Sequence, residues 1–141
     1  MSQHILVDTG VWYAMFATRD NNSKDLNGKA EYLESPFTVI VPWPTIYETL
    51  RTKFVKDRKG LDLFEKYLKK PHVTFLDADR YREMAFDLAF DLSLRQDRPM
   101  SMVDCLLRLI IDDAEVPVDG LITFNERDFY DICSSHNVSM L

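Results

Sequence analysis

The chain has 141 residues, of which 46% are apolar, which is enough to bury a core without disulfides or structural zinc. Its net charge of -6 argues against a surface that binds nucleic acid through excess lysine and arginine, unless divalent cations supply the positive charge. Cys105 and Cys133 lack the paired spacing of a zinc site, and no apolar run reaches the roughly 20 residues needed to cross a bilayer. We expect one cytoplasmic domain over residues 1–141, with no secretory signal and no membrane contact.

Apolar stretches rich in β-branched residues alternate with segments of helical spacing along the chain. The predicted strands are residues 4–7, 38–41, 73–76, 121–124 and 138–141. The predicted helices start at residues 45 and 61, span residues 79–94, and run from a Ser101 cap towards Pro117. This alternation predicts an α/β fold with a mainly parallel central sheet that is covered by helices on both faces.

Two polar stretches interrupt this pattern. Residues 18–22 are expected to form a loop or a frayed helix start, and residues 56–60 an exposed break between helices. Neither stretch is long enough to divide the chain into domains.

Asp8 directly follows the first predicted strand, at the start of a segment that looks helical. Residues just beyond the carboxyl ends of parallel strands face a shared crevice where ligands bind. Alternatively, Asp8 caps the following helix, because a carboxylate at a helix start is favourable without any ligand. Taken alone, this residue leaves both roles open.

Glu48 and Asp104 also lie near predicted helix starts. Glu48 stands among apolar side chains, where a carboxylate is costly unless it is paired or bound to a cation. Taken alone, a solvent-facing glutamate favoured by the helix dipole is the commoner arrangement. Asp104 follows Ser101 by three residues, a spacing that resembles a capping box, although Glu or Gln is usual at this position.

The stretch 121–129 is an apolar strand that ends in a polar turn with two candidate oxygen ligands, Asn125 and Asp128. Turn chemistry alone accounts for Asn and Asp in such a place. Most of the acids named above nevertheless fall at strand ends or in the first turn of the next helix, which would bring them together. Carboxylate and amide oxygens are the ligands that magnesium and manganese prefer.

Four stretches, in this order and over nearly the whole chain, resemble the PIN domain, a family of metal-dependent nucleases that includes the VapC-type toxins. They are ILVDTGVWYAMF, VIVPWPTIYETL, SMVDCLLRLIIDD and LITFNERDF. The resemblance implies a PIN-like three-layer sandwich, and it matches Asp8, Glu48 and Asp104 to the three acids that hold metal in the family. Asn125 matches a fourth position that is often aspartate, and Asp128 is a further acid nearby.

The resemblance implies an endoribonuclease that uses Mg²⁺ or Mn²⁺ to hydrolyse RNA, the toxin of a type II toxin–antitoxin pair. Asp8, Glu48 and Asp104 would hold the metal, and Asn125 and Asp128 would complete the catalytic group. The implied partners are an RNA substrate, a cognate antitoxin protein and a second copy of the chain. The family often has Ser or Asn at the position of Gly10, so Thr9 is the candidate for that polar contact. Asparagine at position 125 removes a charge that would help to bind a second metal ion.

Other interpretations stay open from the residues alone. Gly10 and Asn125 are also compatible with a catalytically inactive PIN-fold module that binds RNA or protein, and an RNA-processing nuclease outside a toxin–antitoxin pair would have the same motifs. A haloacid-dehalogenase-like phosphatase is disfavoured, because it needs a second aspartate where Gly10 stands.

Basic and aromatic side chains are the candidate contacts to RNA. A strip of basic residues is a candidate for the RNA backbone, although a solvated helical face is the usual meaning of such a charge run. The strip comprises Arg51, Lys53, Lys56, Arg58, Lys59, Lys66, Lys69 and Lys70. The aromatic side chains Trp12, Tyr13, Phe16 and Trp43 are expected to pack in the core or an interface rather than to stack on bases.

Overall fold

The computed structural model describes residues 3–17 and 28–141, so the prediction for residues 18–22 lies outside the described residues. Five parallel strands form one sheet in the order β3-β2-β1-β4-β5. The strands are β1 (His4–Val7), β2 (Thr38–Pro42), β3 (Val73–Leu76), β4 (Gly120–Ile122) and β5 (Ser139–Met140). The expected α/β class with a parallel sheet is therefore confirmed, and the last two strands are shorter than predicted.

Seven α-helices lie in the described residues. They are α1 (Thr9–Phe16), α2 (Trp43–Thr49), α3 (Thr52–Val55), α4 (Arg58–Leu68), α5 (Arg82–Phe90), α6 (Met102–Asp112) and α7 (Tyr130–Ser135). Short 3-10 turns lie at Ala30–Leu33, Asp79–Tyr81 and Glu126–Asp128, and a π-helical turn at Asp91–Arg95 extends α5. None of the described helices is long and apolar enough to cross a membrane.

Two separate hydrophobic cores lie on the two faces of the sheet, because successive side chains of a strand point to opposite faces. In β1, Leu6 packs into the core that also contains Leu107 and Ile110 of α6. Ile5 and Val7 pack into the other core, which contains Trp12 and Phe64. Helices therefore cover both faces of the sheet, in an arrangement compatible with three layers.

The predicted continuous helix from residue 45 is wrong, because α2 ends at Thr49 and α3 starts at Thr52. The Thr49 hydroxyl donates a 2.6 Å hydrogen bond to the Thr45 carbonyl oxygen, and such bonds bend helices. Leu50 is still bonded to α2, but Arg51 is extended, with φ -85° and ψ 171°. The backbone of Arg51 thus leaves the helix, and its guanidinium lies over the Tyr13 ring.

The predicted exposed break over residues 56–60 is also wrong beyond its first two residues. Asp57 caps α4 by accepting a hydrogen bond from the Gly60 amide, so the helix already begins at Arg58. Gly60 is buried, and a Cβ atom there would lie 2.4 Å from the Phe16 carbonyl oxygen. Glycine thus lets α4 approach the end of α1.

Candidate active site

The candidate site lies at the carboxyl ends of the central strands β1, β2 and β4. The parallel register pairs Leu6 of β1 with Ile40 of β2 and Leu121 of β4, so these three strands end at the same edge of the sheet. The chain continues from β1 into Asp8, from β2 into α2 with Glu48, and from β4 into a polar turn. This geometry brings the strand-end acids into one region, as the sequence predicts.

Asp8 caps α1, which is one of the two roles that its position suggests. It is the N-cap of α1, and its Oδ1 accepts a 2.7 Å hydrogen bond from the Thr9 amide. Its other oxygen, Oδ2, accepts a 2.9 Å hydrogen bond from the Thr123 hydroxyl. Burial raises the pKa of Asp8, these two hydrogen bonds oppose the increase, and the negative charges of Glu48 and Asp128 add to it.

Glu48 is joined to the start of α1 by the Thr9 hydroxyl, which donates a 2.7 Å hydrogen bond to Oε1. Thr9 therefore bridges two candidate ligands, because its amide binds Asp8 and its hydroxyl binds Glu48. The sequence suggests Thr9 as the source of the polar contact that Gly10 cannot make. The Thr9 hydroxyl makes a polar contact at this site.

Asp104 lies in the first turn of α6, where its backbone amide donates a 3.1 Å hydrogen bond to Ser101 Oγ. The predicted Ser101 cap is thus confirmed. The pKa of Asp104 is raised to about 7, first by burial and then by the negative charges of Asp8, Asp128 and Glu48, against a hydrogen bond from Ser101. The four acids are therefore close enough to repel one another.

Asn125 and Asp128 join this region from the turn after β4. The Asn125 side-chain amide donates a short hydrogen bond to Asp128 Oδ2, and its backbone amide donates to Thr123 Oγ1 at 2.9 Å. Thr123 is buried and connects the turn to Asp8. The sequence analysis did not predict a role for Thr123. Its position directly after a buried strand that ends at the site is a signal that could have indicated one.

A basic cluster that the sequence did not reveal fixes the backbone of this turn. Arg108, one helical turn after Asp104, binds both carboxylate oxygens of Asp131 at 2.7 and 2.9 Å and donates to the Asp128 carbonyl oxygen at 2.8 Å. Arg98 also binds Asp131, at 3.2 Å, and reaches the carbonyl oxygens of Arg127 and Asp128. The cluster therefore holds Asp128 beside α6.

Among the described residues, no arginine, lysine or histidine side chain pairs with Asp8 or Asp104 in this way, whereas Arg51 lies near Glu48 and Arg98 near Asp128. Every charge that shifts the pKa of Asp8 or Asp104 within the described residues is negative. Within the same residues, however, no group of three or more histidine, cysteine, aspartate or glutamate side chains is arranged to hold a metal ion. Asp8, Glu48 and Asp128 each accept a hydrogen bond from a threonine or asparagine side chain. The acids thus share a region without facing one common point.

The donor set nevertheless suits a hard divalent cation. Its members offer only oxygen, and burial together with mutual repulsion makes their ionised forms unfavourable until positive charge arrives. Magnesium usually keeps several waters and binds through one or two carboxylates, so it does not need three protein ligands facing one point.

The predicted basic strip is exposed, and part of it is paired with acids. Lys66 binds Asp62 at 2.8 Å one turn away, and Lys69 lies 3.5 Å from Glu65. These pairs favour the interpretation as a solvated helical face.

The four aromatic side chains do not share one environment. Trp12 and Phe16 are buried, as expected for core residues, and Tyr13 is half-buried. Trp43, in contrast, is 43% exposed.

Neither a protein-family model nor a curated protein matches this chain.

Proposed function

We propose that this protein is a PIN-like endoribonuclease that uses Mg²⁺ or Mn²⁺ to hydrolyse RNA phosphodiester bonds. The observation that carries the proposal is the group of four acids at the carboxyl edge of the sheet. Burial, together with the negative charges of Asp8, Asp128 and Glu48, raises the pKa of Asp104 to about 7, and no positive charge among the described residues contributes to that shift. A site that concentrates negative charge and keeps oxygen ligands partly buried is suited to a divalent cation.

In this proposal Asp8 and Asp104 hold the metal directly, and Glu48 binds it directly or through water. When bound, the metal would activate the attacking water, offset charge on the phosphate and stabilise the leaving oxygen. Thr9 and Thr123 would keep Asp8 and Glu48 oriented through the hydrogen bonds described above.

The turn after β4 would hold the opposite side of the site. Asp128, with the Asn125 amide bound to it, would position the attacking water. The arginine cluster keeps this turn in place through the Asp128 carbonyl, so the water-positioning group does not depend on the metal for its location.

The proposed biological role is that of a toxin whose cognate antitoxin covers the acids with a basic side chain. Protein partners, including a second copy of the chain, are supported by apolar side chains that α5 and the π-helical turn leave exposed. These are Met84, Phe86, Phe90 and Leu94.

Cleavage of a mixed pool of labelled RNAs tests the proposal. The purified protein should cut RNA with Mg²⁺ or Mn²⁺ and not with EDTA, and Asp8→Asn and Asp104→Asn should each lower the rate by about 100-fold or more. Asp87→Asn removes an exposed acid of α5 and is the matched control, which should cut like the wild type.

A catalytically inactive PIN-fold module is the second candidate, and the lack of a ready-made three-ligand group in the described residues favours it. Folded wild-type protein that is free of inhibitor and cuts no RNA with either metal would exclude the nuclease and favour this module. An RNA-processing nuclease outside a toxin–antitoxin pair would cut in the same assay, and it would differ by leaving cell growth unaffected when expressed alone.

A further inference from the structure

A cavity of about 680 Å³ is lined by residues of the two helices that carry Glu48 and Asp104, and it has no part in the proposed chemistry. The first turns of α2 and α6 and the start of α5 surround it. Its lining is mainly apolar and aromatic, with three charged residues among it.

The cavity and the candidate site are built on the same two helices. In α2, Tyr47 lines the cavity and the next residue is Glu48. In α6, Val103 lines the cavity and the next residue is Asp104. Because residues of both helices line the same cavity, α2 and α6 lie beside each other there, with one candidate ligand on each. A chain whose phosphate reaches the acids can therefore place an adjacent group in this cavity.

Two large aromatic side chains on the cavity wall are left open to solvent. Trp43 is 43% exposed and Tyr47 is 74% exposed. Trp43 is held in place by stacking on Phe75, with ring centroids 4.6 Å apart and an interplanar angle of 23°. A fixed, exposed indole on the same helix as an exposed phenol is a suitable platform for a flat aromatic ligand.

The charged residues that line the cavity favour a nucleobase over a phosphate as its ligand. The lining includes two acids, Asp77 and Asp79, and one base, Arg82, so its net negative charge disfavours a phosphate. The edge of a nucleobase, in contrast, carries N–H groups that donate to carboxylates and oxygen or nitrogen atoms that accept from a guanidinium.

We propose that this cavity holds one unstacked base of the RNA next to the phosphate that is cut, with Trp43 and Tyr47 as the stacking residues. The inference rests on the proposed RNA substrate and adds a specificity-determining subsite to it. In this proposal Trp43 stacks on a base, whereas the sequence led us to expect it in the core or an interface. Base–aromatic stacking of this kind is sequence-tolerant, and the carboxylates add a preference for bases that carry an exocyclic amino group.

Tryptophan fluorescence tests the subsite without any cleavage. The chain has two tryptophans, and Trp12 is fully buried, so quenching by a ligand reports on Trp43. The probe is a 2′-O-methylated hexaribonucleotide in EDTA, which is neither cut nor bound through metal, compared with the same backbone carrying no bases. We expect saturable quenching by the first oligonucleotide and none by the second. Equal quenching by both would overturn the proposal, because the backbone alone would then account for binding.

Variants separate stacking from a general effect of surface aromatics. Tyr47→Ala should weaken the quenching interaction by about tenfold while leaving Trp43 as the reporter. Tyr130→Ala is the matched control, because Tyr130 is 69% exposed on α7 and does not line the cavity. Equal affinities of Tyr47→Ala and Tyr130→Ala would overturn the assignment of Tyr47.

Cleavage kinetics distinguish a failure of the subsite from a failure of the nuclease. Trp43→Ala should raise KM by about tenfold and change kcat little, since uniform binding is lost and the acids are intact. Base-dependent quenching without cleavage by the wild type would reject the nuclease and keep the base-binding cavity. Cleavage with an unchanged KM in Trp43→Ala would reject the cavity and keep the nuclease.

Discussion

Asp104 and Asp131 lie near the same helix, α6, in opposite electrostatic environments. Arg98 and Arg108 bind Asp131 and hold the pKa of its carboxyl well below the usual range. Asp104 is surrounded by the charges of other acids, and its pKa is raised to about 7. In the part of the chain that the structure describes, one carboxylate is thus paired with cationic side chains and the other is not. We infer that the first stabilises the fold and that the second is kept for an external cation.

The largest effect on stability is expected from breaking the paired carboxylate. The side chain of Arg108 is only 12% exposed, and Arg108→Met keeps its aliphatic volume but leaves Asp131 with Arg98 alone. The free energy of unfolding, measured in urea, should fall by about 2 kcal/mol, less than for a fully buried pair because Asp131 is half exposed.

Arg95→Met is the control for Arg108→Met. Arg95 pairs with Asp91 on the surface at 3.6 Å, and its loss should cost about 0.5 kcal/mol or less. If both variants were equally stable, Asp131 would not be the structural carboxylate that we infer.

A smaller effect is expected from weakening the support of the unpaired acids. Thr123→Val removes the hydroxyl that donates to Asp8 and accepts from the Asn125 amide. Metal-dependent cleavage should fall by about tenfold, because Asp8 loses its orientation and the hydrogen bond that opposes its raised pKa.

Thr74→Val is the control for Thr123→Val. Thr74 is an exposed threonine of β3, away from the acids, and its loss should leave cleavage unchanged. Wild-type activity in Thr123→Val would show that Thr123 does not position Asp8.

The smallest effect is expected in the pH dependence of stability, to which Asp104 and Asp131 contribute with opposite signs. Because the pKa of Asp104 is raised above its unfolded value, the folded protein holds an extra proton between about pH 4 and pH 7. In EDTA, this group therefore lowers stability as pH rises through that window. The depressed pKa of Asp131 acts in the opposite sense, since its contribution is complete above pH 4 and is lost on further acidification.

Urea unfolding in EDTA at pH 5 and pH 8 measures the effect of Asp104. The loss of stability between these pH values should be smaller in Asp104→Asn than in the wild type by about 1 kcal/mol, after allowing for solvent screening. Asp87→Asn should behave like the wild type. An identical pH dependence in Asp104→Asn would mean that the acids do not destabilise the metal-free protein.

The sheet could be predicted from the sequence because buried strands require runs of apolar, β-branched residues. The predicted bounds of β1 and β3 match the structure, whereas helix ends that depend on tertiary contacts were missed. The bend after Thr49 and the early start of α4 depend on a side-chain hydrogen bond and a cap that apolar spacing does not reveal.

The acids of the candidate site could be predicted for a related reason, since parallel strands end at one edge of the sheet. Asp8 and Asn125 are close to strand ends, and a strand end is visible in the sequence. The arginine cluster could not be predicted from the sequence, because Arg98 lies 33 residues before Asp131 and contacts it only in the folded chain. Local patterns carry no information on such a pairing.

Direct binding of manganese to the purified, EDTA-treated protein tests the central claim most directly. Titration at pH 8, followed by calorimetry or by the signal of free Mn²⁺, should give saturable binding in the wild type and in Asp87→Asn. Binding should be about 100-fold weaker or absent in Asp8→Asn and Asp104→Asn. Wild-type affinity in both site variants, or no binding by the folded wild type, would contradict the account.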